Sequence, residues 1–164
     1  MKYLPLLLLF ASCMRYEETK TVEKPSNLYS MLMDTTAPYD STLAAKFGAD
    51  KRGMKPYVMA FLKKGPNRDQ DSTEAARLQK AHMDNIFRMA AEGKLAVAGP
   101  FMDDGDIRGI YIFNVTSVDE ARALTATDPA IQAGRLVMEL HPWYCSAVLP
   151  VIGPLTERVS KPGF

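Results

Sequence analysis

Apolar and polar positions change rhythm several times along this chain, and each change marks an element. YVMAFLKKG (57–65) is apolar on both alternating sets of positions, which predicts a first strand covered on both sides. A turn, GPNRDQD, follows. From Asp71 the apolar spacing lengthens to three and four residues, the period of a long helix. Asp71 is its expected N-cap, with Glu74 at capping-box spacing, and Gly93 its expected left-handed stop. KLAVAGPF (94–101) and DIRGIYIFNV (106–115) read as the second and third strands, joined through the hairpin signal Asp104-Gly105. SVDEARALTATD (117–128) reads as a second helix, with Ser117 and Glu120 again at capping-box spacing. Asp128-Pro129 then opens a further helical turn ending at Gly134, and RLVMELHPWY (135–144) is the fourth strand.

The order β-α-β-β-α-β predicts an α+β fold, a four-stranded antiparallel sheet with helices on one face. Tyr111, Phe113 and Val115 alternate with Ile110 and Ile112, so the second face is apolar as well. Such a face needs a cover, and a second copy packed back to back in a two-fold dimer is the expected one. A domain of about 110 residues buries only about 60–68% of its chain surface, so an interface would add useful burial. The folded domain is expected over 55–149. Residues 13–54 mix Glu, Lys, Thr, Pro and Ser without a sustained apolar period and read as a polar tether. Within it STLAAKF suits one short helix, capped by Ser41 and stopped by Gly48. The segment 150–164, with Pro150, Gly153, Pro154 and Pro162, is expected to be irregular.

Charge and composition narrow the class. The chain is 47% hydrophobic and 24% charged with formal net charge +1, which gives no electrostatic reason to expect a nucleic-acid partner. At the front, Met1-Lys2 precedes YLPLLLLFA. That run is short of the roughly 20 residues a membrane span needs and suits the h-region of a signal peptide over 1–12. Ala11 and Ser12 directly before Cys13 resemble the lipobox of bacterial lipoproteins, although Phe10 stands where Leu is usual. The resemblance implies lipid attachment at Cys13 and a protein held at the bacterial cell envelope by its lipid anchor alone. Each buried methylene of such an anchor contributes ~0.8 kcal/mol. A lipidated Cys13 leaves Cys145 without an intrachain partner, and Cys145, after Trp143-Tyr144, reads as a small buried hydrophobe.

The candidate chemistry starts with His82, one of two histidines in the chain. With Leu78 at zero and about 100° per residue, Met89 lies near 20°, His82 near 40° and Ala75 near 60°. Ile86 lies at about 80°, Met83 at about 140° and Phe87 at about 180°. Lys80, Asp84, Arg77, Arg88 and Glu92 fill the remaining arc. His82 therefore faces the sheet, where an unsatisfied imidazole would cost roughly 1–3 kcal/mol. Asp84 points away from it, and the best candidate partner is Asp128. As the residue before a proline, Asp128 is also a good N-cap. One carboxylate oxygen can cap while the other receives an imidazole N–H, so the two roles can coexist. His141, before Pro142, is expected on or just after an edge strand, and two histidines on separate elements make a weak metal case. There is no GxGxxG after a strand, no P-loop and no HExxH, so neither a cofactor nor a metal is expected.

AHMDNIFRMAAEGKLAVAGPF, followed by ATDPAIQAGRLVMELHPWY, resembles the YciI-like (YCII-related) domain family. The helix histidine, the EGKL-x-x-AGPF passage and the T-DPA-x-x-AG turn carry the resemblance, which covers about residues 56–145. It implies a ferredoxin-like fold of the dimeric α+β barrel type and an active site containing a His–Asp pair, here His82 and Asp128. A few relatives act on small chlorinated aromatic compounds, which does not transfer a substrate to this chain. Two functions follow as expectations. One is a cofactor-independent enzyme that uses His82 and Asp128 as a general acid/base dyad, of lyase or hydrolase type, on a small molecule. The other is a non-catalytic binding or structural envelope lipoprotein with an inherited pocket.

Overall fold

A computed structural model describes residues 27–161. The signal segment 1–12, Cys13 and the first third of the expected tether, up to residue 26, lie outside the described residues, as do residues 162–164. The chain divides into two compact units, one up to Tyr39 and one from Asp40 onward. The first holds helix α1 (Asn27–Leu32) and a turn in which Asp34 accepts the Thr36 N–H at 2.9 Å.

The second unit starts inside the segment whose composition reads as tether. Helix α2 (Ser41–Phe47) is capped by Asp40 rather than by Ser41. The Asp40 carboxylate accepts the Leu43 N–H at 2.9 Å, and an anion suits the positive end of a helix better than a hydroxyl. Gly48 stops α2, as its sequence position suggests. Strand β1 (Met54–Lys64) then begins a few residues ahead of its expected start.

Helix α3 (Ser72–Ala91) and strands β2 (Leu95–Pro100) and β3 (Ile107–Phe113) follow in the expected order. Helices α4 (Val118–Thr125) and α5 (Pro129–Gln132) lead into strand β4 (Leu136–Ser146). All pairs are antiparallel in the order β2-β3-β1-β4. β1 is an inner strand, pairing with β3 on one side and along its whole length with β4 on the other, from Met54↔Ser146 to Lys64↔Leu136. Pro142 is tolerated because β4 is an edge strand.

Asp71 and Ser117 cap α3 and α4, accepting the N–H groups of Glu74 at 2.8 Å and Glu120 at 3.1 Å. The reciprocal half of each capping box is diverted. Glu74 chelates Arg77, and Glu120 reaches Lys94. The β2–β3 connection differs from a tight Asp-Gly turn. It spans residues 101–106, and Gly105 is not among the glycines with positive φ.

Val58, Ala60 and Leu62 of β1 and Tyr111 and Phe113 of β3 form the main core with Met89 of α3 and Ala121 of α4. The opposite face gathers Tyr57 and Ile112 with Met59, Trp143 and Cys145. Its cover comes partly from the chain itself. The segment expected to be irregular forms a 3-10 turn (Leu149–Val151) and helix α6 (Ile152–Val159), and Leu149 packs on this face. Pro150 and Pro154 sit in first turns, where a missing N–H loses no helical bond. Toward the other end of this face, Phe61 meets the His141 ring edge-on at 5.7 Å, and Glu139 joins Lys63 to His141.

Candidate active site

Helix α3 buries Leu78, His82, Asn85 and Met89. The outer ends of the expected apolar arc do not follow. Met83 and Phe87 are 36% and 64% exposed, because only the central stripe of a helix on a sheet reaches the core. Asn85 takes a buried place instead. On the same wheel it falls at about −20°, so its inward direction was available from the sequence.

Asn85 ties α3 to the turn that carries Asp128. Its Oδ1 accepts from Arg88 Nη2 at 2.8 Å and lies 3.1 Å from the Thr127 hydroxyl, whose one proton it shares with the Leu124 carbonyl at 2.7 Å. Arg88 Nη2 also reaches Thr127 Oγ1 at 3.0 Å. Asn85 Nδ2 is buried without a hydrogen-bond partner among the described residues. Turning the amide over would set N–H against N–H at Arg88, which fixes its orientation.

The turn itself follows from local chemistry. Asp128 is extended, at φ −82° and ψ 119°, and caps α5 by accepting the Ala130 N–H on Oδ1 at 2.8 Å, with Pro129 at the first helical position. The second oxygen, Oδ2, lies 2.6 Å from His82 Nδ1. The structure thus brings together two side chains 46 positions apart, with Asp128 fully buried and His82 7% exposed. A carboxylate only accepts, so Nδ1 carries a proton, and in the neutral ring Nε2 then presents its lone pair.

Tyr111 lies at that lone pair. Its hydroxyl is 3.3 Å from Nε2, and the two rings are nearly parallel. Burial pushes the Tyr111 hydroxyl well above the ordinary tyrosine range, and the Asp128 charge adds to the effect. Tyr111 therefore remains a neutral donor, and a chain of hydrogen bonds runs Tyr111 O–H to His82 Nε2 and His82 Nδ1–H to Asp128. The alternation of β3 marks Tyr111 as core, but no short-range signal connects it to a helix residue 29 positions away.

His82 and Tyr111 open into a cleft of about 560 Å³, a size typical of small-molecule sites. Leu62, Ile86 and Leu136 form apolar wall, and Arg68, Arg108 and Arg135 also line the cleft. Arg68 and Arg135 reach it through a close loop contact. Gly65 N–H donates to the Arg135 carbonyl at 2.9 Å and Asn67 N–H to the Gly134 carbonyl at 3.0 Å. A side chain at Gly65 would put its Cβ 2.1 Å from the Gly134 carbonyl oxygen, which explains the glycine. The arginines were missed from sequence because they come from three loop and strand positions with no shared spacing.

The other singled-out residues lie elsewhere. His141 is exposed on β4 at the face away from the helices, bonded to Glu139 at 2.8 Å. Cys145 is half-buried in the cluster with Tyr57. Burial, with the nearby Cys145 adding to it, pushes the Tyr57 hydroxyl up to about 12.

A family profile described as "YCII-related domain" matches residues 57–144. A comparison with curated proteins gives no match. Among solved structures, the chain is similar to the 5-chloro-2-hydroxyhydroquinone dehydrochlorinase of Burkholderia phenoliruptrix AC1100, described in complex with 2,5-dihydroxybenzoquinone. The similarity amounts to 22% identity and a TM-score of 0.40, over 52% of this chain and 92% of that one. At that level it bears on neither reaction nor substrate.

Proposed function

For a chain that belongs to the YCII-related domain family, we propose a small-molecule enzyme in which His82 and Asp128 act as a cofactor-independent general acid/base dyad of lyase or hydrolase type. One observation carries the reading: the 2.6 Å contact between His82 Nδ1 and Asp128 Oδ2, with Nε2 left toward the cleft. In this reading Nε2 takes a proton from the bound substrate. Asp128 holds the tautomer and stabilises the imidazolium that forms. Substrate entering the cleft displaces the long Tyr111 contact, and the neutral phenol then donates to the oxygen on which charge develops. The same imidazolium returns its proton to the leaving group or product. The test is turnover of small carbon acids and esters by the wild-type chain and by His82→Gln. Undiminished turnover in the variant removes His82 from the chemistry.

The resemblance to ferredoxin-like domains of the dimeric barrel type extends the reading to a homodimer through the open sheet face. It rests on Met59, Phe61 and Ile110, which remain only half-buried beside the part covered by Leu149. Sedimentation of the purified protein as two copies is expected, and a single copy at all concentrations rejects the dimer. The anchor at Cys13 belongs to the same reading, because the apolar run and the small residues before the cysteine suit lipid attachment. Cys13→Ala is expected to lose incorporated radiolabelled palmitate and to leave the membrane fraction. Retained label at wild-type level rejects the anchor.

A further inference from the structure

The arginines of the cleft differ from those on the outer face of α3. Arg77 and Arg88 are each held by a neighbouring carboxylate, Glu74 and Glu92. Arg68, Arg108 and Arg135 form no salt bridge among the described residues. Their hydrogen bonds go to neutral acceptors. Arg68 Nη1 donates to the Arg135 carbonyl at 3.2 Å, and Arg135 Nη1 to Gln70 Oε1 at 2.8 Å. Arg108 Nη1 donates to the carbonyls of Asp103 at 3.2 Å and Gly105 at 3.3 Å. A guanidinium has five N–H donors, so each retains donors beyond these bonds. No aspartate or glutamate is among the residues that line the cleft. Three guanidiniums without a salt-bridge partner among the described residues therefore share one concavity with His82, and the remaining wall is largely apolar. Behind the ring, the buried Asp128 carboxylate is taken up by His82 Nδ1 and the Ala130 N–H.

We infer that this cleft takes a small organic anion, a carboxylate on an aromatic or branched aliphatic body. Arginine is suited to this role because its planar fork matches two carboxylate oxygens, and such charge-assisted bonds are about twice as strong as neutral ones. The apolar body lies against Leu62, Ile86 and Leu136. The inference deepens the acid/base reading and rests on it only for what happens at Nε2. There, in a ligand whose carbon beside the carboxylate bears hydrogen, as in phenylacetate and 3-methylbutanoate but not benzoate, that proton passes to His82 Nε2. The electron pair it leaves spreads onto the carboxylate oxygens, where the guanidiniums offset the added charge, until the imidazolium returns its proton to that carbon.

The test is calorimetric titration of the full chain with benzoate, phenylacetate and 3-methylbutanoate, each against its primary amide, at low and at high salt. At least one carboxylate is expected to bind about tenfold or more tightly than its amide. That preference shrinks at high salt and in Arg68→Gln and Arg108→Gln, whose thermal melts report whether they fold. The salt arm needs no variant. Equal affinity for every carboxylate and its amide overturns the inference and leaves the acid/base reading standing. Carboxylate binding kept in His82→Gln, together with undiminished turnover, overturns the acid/base reading and upholds the ligand class.

Discussion

Turnover is expected to fall by about 10²–10⁴-fold when His82 is replaced by glutamine, the range a positioned general base contributes. Glutamine is the informative replacement. Its amide N–H can still donate to Asp128 Oδ2, so the buried carboxylate keeps a partner while the proton-accepting nitrogen is lost. His82→Ala mixes two effects. It opens space under α3 and leaves Asp128 buried without its partner, at a cost of about 3–5 kcal/mol. A pair of measurements separates them: kcat/KM for turnover, and the urea midpoint for stability. Glutamine should lower the first far more than the second. A glutamine variant that keeps wild-type kcat/KM makes His82 a satisfied core residue and no more.

The second large effect is at Asp128, where two substitutions should part company. Asp128→Ala removes the cap of α5, worth about 0.5–2 kcal/mol, and strands the Nδ1–H of His82, at about 1–3 kcal/mol. The two losses share one side chain, so their sum is an upper bound. Asp128→Asn keeps the cap, because asparagine and aspartate are equally good there, and should cost only about 1 kcal/mol. Its amide nitrogen then faces Nδ1, so the ring must accept at Nδ1 and move its proton to Nε2. The base is lost while the fold survives. Urea unfolding should rank wild type above Asn above Ala, whereas turnover should be low in both variants. Full activity in Asp128→Asn contradicts the role assigned to the carboxylate.

Much of the scaffold was legible because it depends on short-range rules. The two-residue period of β1, the three-to-four-residue period of α3 and the caps at Asp71, Ser117 and Asp128 each involve residues within a turn of one another. The same local geometry aimed His82 at the sheet. It failed where two local rules competed, as at Asp40 beside Ser41, and where prolines suggested irregular chain but occupied first turns in the tail. The cover on the second face was expected from another copy, yet Leu149 of the chain supplies part of it.

By itself, the sequence determined the strands, the helices, most of their ends and the inward direction of His82, because backbone period and capping act over a few residues. Only the tertiary structure decided what that ring meets. Strand register carries Tyr111 to Nε2, the Asn85–Thr127 link sets Asp128 at Nδ1, and the Gly65–Gly134 contact brings Arg68 and Arg135 to one cleft. These meetings join residues tens of positions apart, and their closeness comes from packing a helix and two turns against one sheet, which no local pattern encodes.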